Sequence, residues 1–376
     1  MKVSIDSRTI KPGEYFIPVQ GQNFDGRNFI SDALAKGARL LDVDLFDYAK
    51  KYRKKLSCKV IGIVGSAGKT TLKDMLFSIL STQFNVVKTI ENQNNEIGVA
   101  LTLLSADSST DILLVEMGMR NKNDLTYLAK LVQPDCIVFT GVGKSHVGLH
   151  ASFKDLAKAK CEVFRRPLRW QQADTRYCFL NTNGAFNEFV EKKVSAAGYK
   201  LIPSSGEDKV NENINLAYSA GSFLGVSNVE IERGLQVYQS SKHRMKLHRI
   251  SQVVLLDDTY NSNPDGVIYA LQYMRQFTGR KICVLADMLE LGAHTLPEHE
   301  ATLTAVCEEG VDVVFVYGEN FSSVQSKFEN VTSFEDIDSL NVHLKAELKQ
   351  GDVVLVKGSR SMKMERVVKY LIDERD

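Results

Sequence analysis

A glycine-rich turn from Gly65 to Thr71 combines residue types that suggest phosphate chemistry. It follows an apolar run and precedes an amphipathic helical pattern. Glycines let backbone N–H groups turn inward, and the positive end of the following helix favours phosphate. The short GxxGKTT form has Ile63 where the usual pattern has its first glycine. We predict an ATP-binding loop in which Lys69 neutralises phosphates and Thr70 ligates Mg²⁺. The loop residues are Gly65, Ser66, Ala67, Gly68, Lys69, Thr70 and Thr71.

Two polar residues follow predicted strands further along the chain. Glu116 ends the segment DILLVEMG, and His146 follows CIVFTGVG. An open parallel sheet binds ligands at the carboxyl ends of its strands. We therefore expect both side chains near the loop, where they could hold a second Mg²⁺, although histidine is an uncommon magnesium ligand.

An asparagine-rich segment, ENQNNEIG, precedes an apolar helical pattern. Amide side chains both donate and accept, which suits sugar, phosphate or amide groups of a substrate. The same residues are also typical of a turn and a helix cap. The segment by itself leaves both interpretations open.

These residues must be positioned by alternating strands and helices. Apolar strands separated by helical patterns predict an α/β fold with a parallel sheet covered on both faces. We predict a small N-terminal unit at residues 1–55, a central phosphate-loop domain at 56–240, and a C-terminal α/β domain at 241–376.

Composition excludes several classes of protein. The chain has 44% hydrophobic and 25% charged residues and a formal net charge of +1, which is ordinary for a soluble protein and gives no overall bias toward nucleic acid. No run approaches the roughly 18 apolar residues of a membrane span. Six cysteines without a CxxC pair argue against a zinc ribbon or disulfides. We expect a cytoplasmic protein, since MKVSIDSRTI also lacks the apolar core of a signal peptide.

Three other features have less specific interpretations. The basic run between Lys50 and Lys55 could indicate a nucleic-acid-dependent ATPase, but a solvated helix or linker is the better interpretation. His294 and His299 are expected at the surface rather than on a metal, because their spacing does not suit one helix face and Pro297 interrupts. Trp170 and the nearby Arg165-Arg166 pair are expected in an amphipathic surface stretch.

The motifs together resemble the Mur ligases, the ATP-dependent amide-forming family of peptidoglycan precursor synthesis. Several segments are similar to the branch that adds D-alanyl-D-alanine to UDP-N-acetylmuramoyl-tripeptide. They are NxNNEIG, DSRTIKPGEYFIPVQGQNFDGRNFI (6–30), DDTYNSNP (257–264), LADMLELG (285–292) and KGSRSMKME (357–365). The resemblance implies a three-domain architecture with a Rossmann-like C-terminal domain. It also implies a monomer, a reaction through an acyl phosphate, and no nucleic acid or membrane partner.

The resemblance also assigns roles to individual residues. Catalysis would involve Lys69, His146, Lys160 and Arg244. ATP would be held by the loop together with Arg244, Asp258 and Asn261. Two Mg²⁺ ions would be held by Thr70, Glu116, His146 and Lys160, the last as a carbamate formed with CO₂. Substrates would contact Asp6, Ser7, Arg8, Asn94, Asn95, Lys357, Ser359 and Arg360.

The chain departs from the family pattern in three places. The DSR motif comes very early, so we expect a shortened N-terminal domain. The segment after Glu116 is GMRNKNDL rather than a glycine-rich acidic form, and the stretch between Asn181 and Asn213 is too short for the usual antiparallel strands. Two alternatives therefore stay open: an amide synthetase acting on another carboxylate, and a nucleotide-binding homologue without catalysis.

Overall fold

The computed structural model describes residues 2–21, 24–164 and 175–373, and its strands in these ranges form three sheets. Together with the helices between the strands they confirm the predicted α/β class. No helix in these ranges is long and apolar enough to cross a membrane. The stretch around Arg165, Arg166 and Trp170 lies outside the described residues.

The first sheet is small and parallel, with three two-residue strands in chain order. They are β1 Val3–Ser4, β2 Tyr15–Phe16 and β3 Arg39–Leu40. Helix α1 spans Ile30–Ala35 and helix α2 spans Leu45–Arg53. Helix α2 carries most of the basic run, and Arg53 donates to the carbonyls of Val132 and Gln133 at 2.7 and 2.8 Å. This arginine ties the helix to the neighbouring sheet.

The second sheet has the strand order β5-β6-β4-β7-β8-β9, and all its pairings among the described residues are parallel. Its strands are β4 Lys59–Val64, β5 Val86–Lys88, β6 Ile112–Glu116, β7 Cys136–Phe139, β8 Arg176–Asn181 and β9 Tyr199–Ser204. The accompanying helices are α3 Lys69–Leu80, α4 Glu96–Ser105, α5 Asp124–Val132, α6 Phe153–Lys160, α7 Asn187–Ala196, α8 Lys209–Phe223 and α9 Asn228–Gln236. The short stretch after Asn181 thus holds one helix and one further parallel strand.

Both faces of the second sheet are buried, because successive residues of a strand point to opposite faces. In β4, Ile61 and Ile63 belong to one apolar cluster with residues of α3 and α8. Val60 and Val64 belong to the other cluster, with residues of α4 and α5. The loop after β4 is therefore held between two packed helical layers.

The third sheet has the order β10-β11-β15-β12-β13-β14, with β10 antiparallel to β11 and the other described pairs parallel. Its strands are β10 Lys246–Ile250, β11 Val253–Asp258, β12 Lys281–Ala286, β13 Val313–Tyr317, β14 Val331–Phe334 and β15 Val353–Lys357. The helices are α10 Pro264–Met274, α11 Thr295–Glu308, α12 Glu319–Gln325, α13 Ile337–Glu347 and α14 Glu365–Asp373.

The prediction that His299 is a surface residue is wrong. Its side chain is fully buried in α11, where Nδ1 bonds to the carbonyl of Thr295 at 2.7 Å and Nε2 accepts from the N–H of Met288 at 3.0 Å. Pro297 does not interrupt the helix because it lies in the first turn, where a missing N–H costs little. His294 is exposed, as expected.

Candidate active site

The glycine-rich turn connects β4 directly to α3, and its shape requires glycine at two positions. Gly65 has φ +145° and Gly68 has φ +78°. A Cβ atom would lie 2.0 Å from Oγ1 of Thr140 at Gly65 and 2.6 Å from Nδ2 of Asn213 at Gly68. The turn therefore leads tightly into the N terminus of α3, an arrangement that suits a bound anion.

Lys69 is folded back onto this turn. Its Nζ donates to the carbonyls of Gly65 and Ser66, both at 2.9 Å. Burial lowers the pKa of Lys69 to about 8, against the raising effect of the Glu116 carboxylate. A phosphate on the turn would oppose that shift, since an adjacent negative charge favours the ammonium form.

Glu116 lies at the end of β6 as the centre of a buried polar cluster. Only 1% of the residue is exposed. Thr70 Oγ1 lies 3.1 and 2.9 Å from its two carboxylate oxygens, and Asn94 Nδ2 donates to Oε1 at 2.8 Å. The cluster joins the phosphate loop, the end of β6 and the asparagine-rich segment.

Lys73 completes this cluster and was missed by the sequence analysis. Its fully buried Nζ lies 3.4 Å from Oε2 of Glu116 and donates to the carbonyl of Glu91 at 2.6 Å. Burial raises the pKa of Glu116, but the charges of Lys73 and Lys69 outweigh it, so the pKa falls below its ordinary value. Burial lowers the pKa of Lys73. The available signal was helical spacing, since Lys73 stands three residues after Thr70 on the same face of α3.

His146 follows β7 and contacts the third sheet. Its backbone has φ +65°, and its Nδ1 lies 2.6 Å from Oε2 of Glu290. Burial and the positive charges of two neighbouring lysines lower the pKa of His146 to about 4, against the raising effect of Glu290. The imidazole is therefore neutral near pH 7. Glu290 belongs to the LADMLELG segment, but the sequence analysis assigned it no role.

Lys160 is buried at the end of α6, with 1% of the residue exposed. The hydrogen bond recorded for its Nζ runs to the carbonyl of Gly65 at 3.4 Å. Burial lowers its pKa well below the ordinary value for lysine, and the charge of Lys69 adds to this effect. This shift favours the free amine, which is the nucleophilic form of lysine.

A cleft of about 1040 Å³ is lined by residues of the second and third sheets and their helices. It brings together most of the predicted site residues. They are Ser66, Ala67, Gly68, Lys69, Thr70, Thr71, Asn94, Asn95, Glu116, His146, Lys160, Arg244, Asp258, Asn261 and Lys357. This volume is close to the upper end of the range that is usual for small-molecule pockets.

The side of the cleft near the third sheet has its own ordered polar groups. The guanidinium carbon of Arg244 lies 4.0 Å from the ring centroid of Tyr260. Lys357 Nζ donates to the carboxylate of Asp258 and, at 2.9 Å, to the carbonyl of Asn261. Lys357 is thus paired with residues predicted to contact the nucleotide.

Several predicted substrate contacts lie outside this cleft or already have a protein partner. Asp6, Ser7 and Arg8 lie beside the first sheet, where hydrogen bonds from Arg8 hold the pKa of Asp6 at about 2. Ser359 accepts from the N–H of Leu289 at 3.0 Å, and Arg360 pairs with Glu365. Asn95 lines the cleft but caps helix α4, accepting from the N–H of Gly98 at 3.0 Å. Their predicted roles stay predictions.

The oxygen donors beside the loop fit Mg²⁺. Within residues 2–21, 24–164 and 175–373, no three His, Cys, Asp or Glu side chains form a metal-binding cluster. The hydroxyl of Thr70 and the carboxylate of Glu116 nevertheless form a hard oxygen pair. Mg²⁺ is commonly held by one or two carboxylates together with substrate phosphates, which matches such a pair next to a phosphate loop.

The fold and the site define a phosphate-loop α/β protein whose cleft is shared by two sheets. Three family models match its sequence. They are "Mur ligase family, catalytic domain" at residues 2–75, "Mur ligase middle domain" at 63–248 and "Mur ligase, glutamate ligase domain" at 243–360. The chain belongs to the Mur ligase family.

Relatives match almost the whole chain. The UDP-N-acetylmuramoyl-tripeptide–D-alanyl-D-alanine ligase of Bacillus subtilis is 30% identical over 426 positions, covering 99% of this chain and 93% of the relative. The crystal structure of MurF from Acinetobacter baumannii has a TM-score of 0.87 at 24% identity, covering 99% of this chain and 93% of that one. MurF ligase from Thermotoga maritima in complex with ADP has a TM-score of 0.83 at 23% identity, covering 99% and 97%. These neighbours confirm the predicted Mur ligase architecture.

The comparison also shows that this chain is shorter than its relative. The Bacillus subtilis match spans 426 positions, whereas this chain has 376 residues, so at least 50 positions of the relative have no counterpart here.

Proposed function

We propose that this protein is the ATP-dependent ligase that adds D-alanyl-D-alanine to UDP-N-acetylmuramoyl-tripeptide in peptidoglycan precursor synthesis. The observation that carries the proposal is the buried Thr70–Glu116–Asn94 cluster. The cluster joins the phosphate loop to the segment expected to face the nucleotide sugar. In addition, relatives named as this ligase match almost the whole chain. We also expect the protein to be a cytoplasmic monomer.

The nucleotide would lie in the cleft between the second and third sheets. The loop at 65–71 would hold the phosphates, with Lys69 and Arg244 as the nearby cations. Asp258 and Asn261 would contact the nucleoside from the third sheet. This arrangement follows the division into three domains, 1–55, 56–240 and 241–376, each built around one sheet.

The reaction joins an acid to an amine in two steps. The terminal carboxylate of the tripeptide attacks the γ-phosphorus of ATP, forming an acyl phosphate and releasing ADP. The amine of D-alanyl-D-alanine then attacks the acyl carbon, and phosphate leaves with formation of the amide. The first step brings two anions together, so fixed positive charge near the γ-phosphate should supply most of the rate acceleration.

The hydroxyl of Thr70 would ligate one Mg²⁺, and Glu116, His146 and a carbamate of Lys160 would hold a second ion. Bound Mg²⁺ supplies charge stabilisation to the phosphoryl oxygens. The burial of Lys160 supports the carbamate, because a free amine can attack CO₂ and lose a proton to become an anionic oxygen ligand.

The substrates would occupy the surfaces that remain. Asp6, Ser7 and Arg8 would bind the UDP part, and Asn94 and Asn95 would face its pyrophosphate. Lys357, Ser359 and Arg360 would receive the dipeptide, although the pairing of Lys357 with Asp258 points equally to support of the nucleotide site.

Phosphate release tests the proposal. The purified chain is assayed with ATP, Mg²⁺ and UDP-N-acetylmuramoyl-tripeptide, with and without D-alanyl-D-alanine, alongside Lys69→Ala. We expect release that requires both substrates and falls by two or more orders of magnitude in the variant, since a cation aimed at the transferred phosphate is lost. Release with other carboxylate–amine pairs would instead indicate a related synthetase. ADP binding without any release would indicate a non-catalytic homologue.

A further inference from the structure

His146 and Glu290 meet across the boundary between the second and third sheets. His146 follows β7, whereas Glu290 follows β12. The Nδ1 atom of the histidine lies 2.6 Å from Oε2 of the carboxylate. The two residues are 144 positions apart in the chain, so the contact exists only because the two sheets are in contact.

Glu290 is itself held in place by the second sheet. Its Oε1 accepts from Nη2 of Arg120 at 2.8 Å, and its carbonyl accepts from the N–H of Gly148 at 3.0 Å. Both partners of the pair have left-handed backbones, with φ +65° at His146 and +63° at Glu290. Such conformations are strained for residues other than glycine and persist when surrounding contacts hold them in place.

We propose that Glu290 is a positioning residue that keeps the proton of His146 on Nδ1. The unprotonated Nε2 then offers its lone pair to a ligand in the cleft. The inference rests on the role proposed above for His146. It adds the residue that selects the imidazole tautomer and places that residue on the opposite sheet.

The chemistry of the contact supports this assignment. In a neutral imidazole one nitrogen carries the proton and the other a lone pair. A carboxylate only accepts, so Nδ1 must donate to Glu290. Among the residues that the structure describes, Nε2 of His146 has no hydrogen-bond partner, and the residue lines the cleft. Carboxylate partners of this kind fix the tautomer and orientation of ligating histidines in general.

Glu290→Gln gives a sharp test because Arg120 can only donate. The amide oxygen of the new side chain would stay on the side of Arg120, and its NH₂ group would face His146. Nδ1 would then have to accept, and the ring proton would move to Nε2. Adding Arg120→Met frees the amide to turn, so the double variant should return the proton to Nδ1.

The matched control is Glu298→Gln. Glu298 pairs with Lys144 at 2.8 Å. This pair joins the loop after β7, which also contains His146, to helix α11 beside the third sheet, and it does not involve His146. Both variants remove one carboxylate between the two sheets. Only Glu290→Gln changes the partner of the imidazole.

The measurement is long-range ¹H–¹⁵N NMR of the full chain labelled with [¹⁵N]histidine and free of nucleotide. The chain has seven histidines, and His146→Gln identifies the signal. We expect an Nδ1-protonated ring in the wild type and Glu298→Gln, an Nε2-protonated ring in Glu290→Gln, and reversal in the double variant. In the active enzyme, kcat/KM should fall about 10–100-fold in Glu290→Gln alone.

Three results would overturn the proposal: a wild-type ring protonated on Nε2, an unchanged tautomer in Glu290→Gln, or an equal change in Glu298→Gln. Failure of the proposed function would show separately, as absence of phosphate release by the wild type, since the NMR measurement uses no substrate.

Discussion

One buried carboxylate organises the polar centre of the second sheet. Glu116 contacts a hydroxyl and an ammonium group from α3 and an amide from the asparagine-rich segment, and a carboxylate taken out of water needs such partners. The glycine turn beside it was predicted from local residue types. Its lysine partner, Lys73, was not, because the sequence shows only a lysine on a helix and surface exposure is the usual state of that residue.

Replacing Lys73 by methionine should therefore destabilise the fold. The side chain length is kept, but Glu116 loses its nearest buried cation, and removal of one partner of a buried pair costs about 3–5 kcal/mol. The free energy of unfolding from denaturant titration measures this loss. Adding Glu116→Gln should recover part of it, since the uncompensated charge is removed.

Lys88→Met is the matched control for that prediction. Lys88 pairs with the buried Asp74 at 2.7 Å, but its own side chain is 30% exposed and Asp74 also accepts from the hydroxyl of Ser241, so we expect a smaller loss than in Lys73→Met. Equal unfolding midpoints for Lys73→Met and the wild type would contradict a charged Lys73–Glu116 pair.

Asn95, which was predicted to contact the substrate, also has a structural role at the start of helix α4. Asn95 is the residue before the helix, and its side chain accepts from the N–H of Gly98. The sequence left substrate contact and helix cap open, and the structure shows the cap. A contact with substrate remains compatible, since Asn95 also lines the cleft.

Asn95→Ala and Asn95→Asp should separate the two roles. Alanine removes the cap and should lower the free energy of unfolding by about 1 kcal/mol, whereas aspartate caps equally well. If Asn95 also faces the pyrophosphate, aspartate should weaken binding of the UDP-linked substrate through charge repulsion while stability is kept. Calorimetric binding and thermal unfolding of both variants measure these effects, and an aspartate variant as unstable as alanine would argue against the cap.

At the scale of the whole molecule, two glycines allow the second and third sheets to come together next to the His146–Glu290 pair. A Cβ atom at Gly148 would lie 2.2 Å from the backbone nitrogen of Gly292. Such a distance is far below van der Waals contact, so the loops can meet only while position 148 lacks a side chain.

Gly148→Ala should therefore push the two sheets apart. Overpacking costs about 1–3 kcal/mol, which corresponds to about 5–150-fold weaker binding of ADP if the cleft needs this contact. Solution scattering should show a larger radius of gyration. Gly21→Ala is the control, since its nearest atom would lie 3.7 Å away, and equal behaviour of the two variants would refute a steric role for Gly148.

Much of this protein was determined by its sequence alone. The α/β class, the strands around the loop and the Mur ligase family follow from short motifs and local periodicity, which depend on neighbouring residues. The phosphate loop is such a feature, because its glycines, lysine and threonines lie within seven positions.

Only the tertiary structure decided which distant residues meet. Lys73 with Glu116 and His146 with Glu290 are brought together by the strand order and by the contact between two sheets. His299 was misplaced for the same reason: burial depends on what packs against a helix face. The sequence was enough to predict the chemical groups of the site, whereas long-range packing determined their partners, their burial and their protonation.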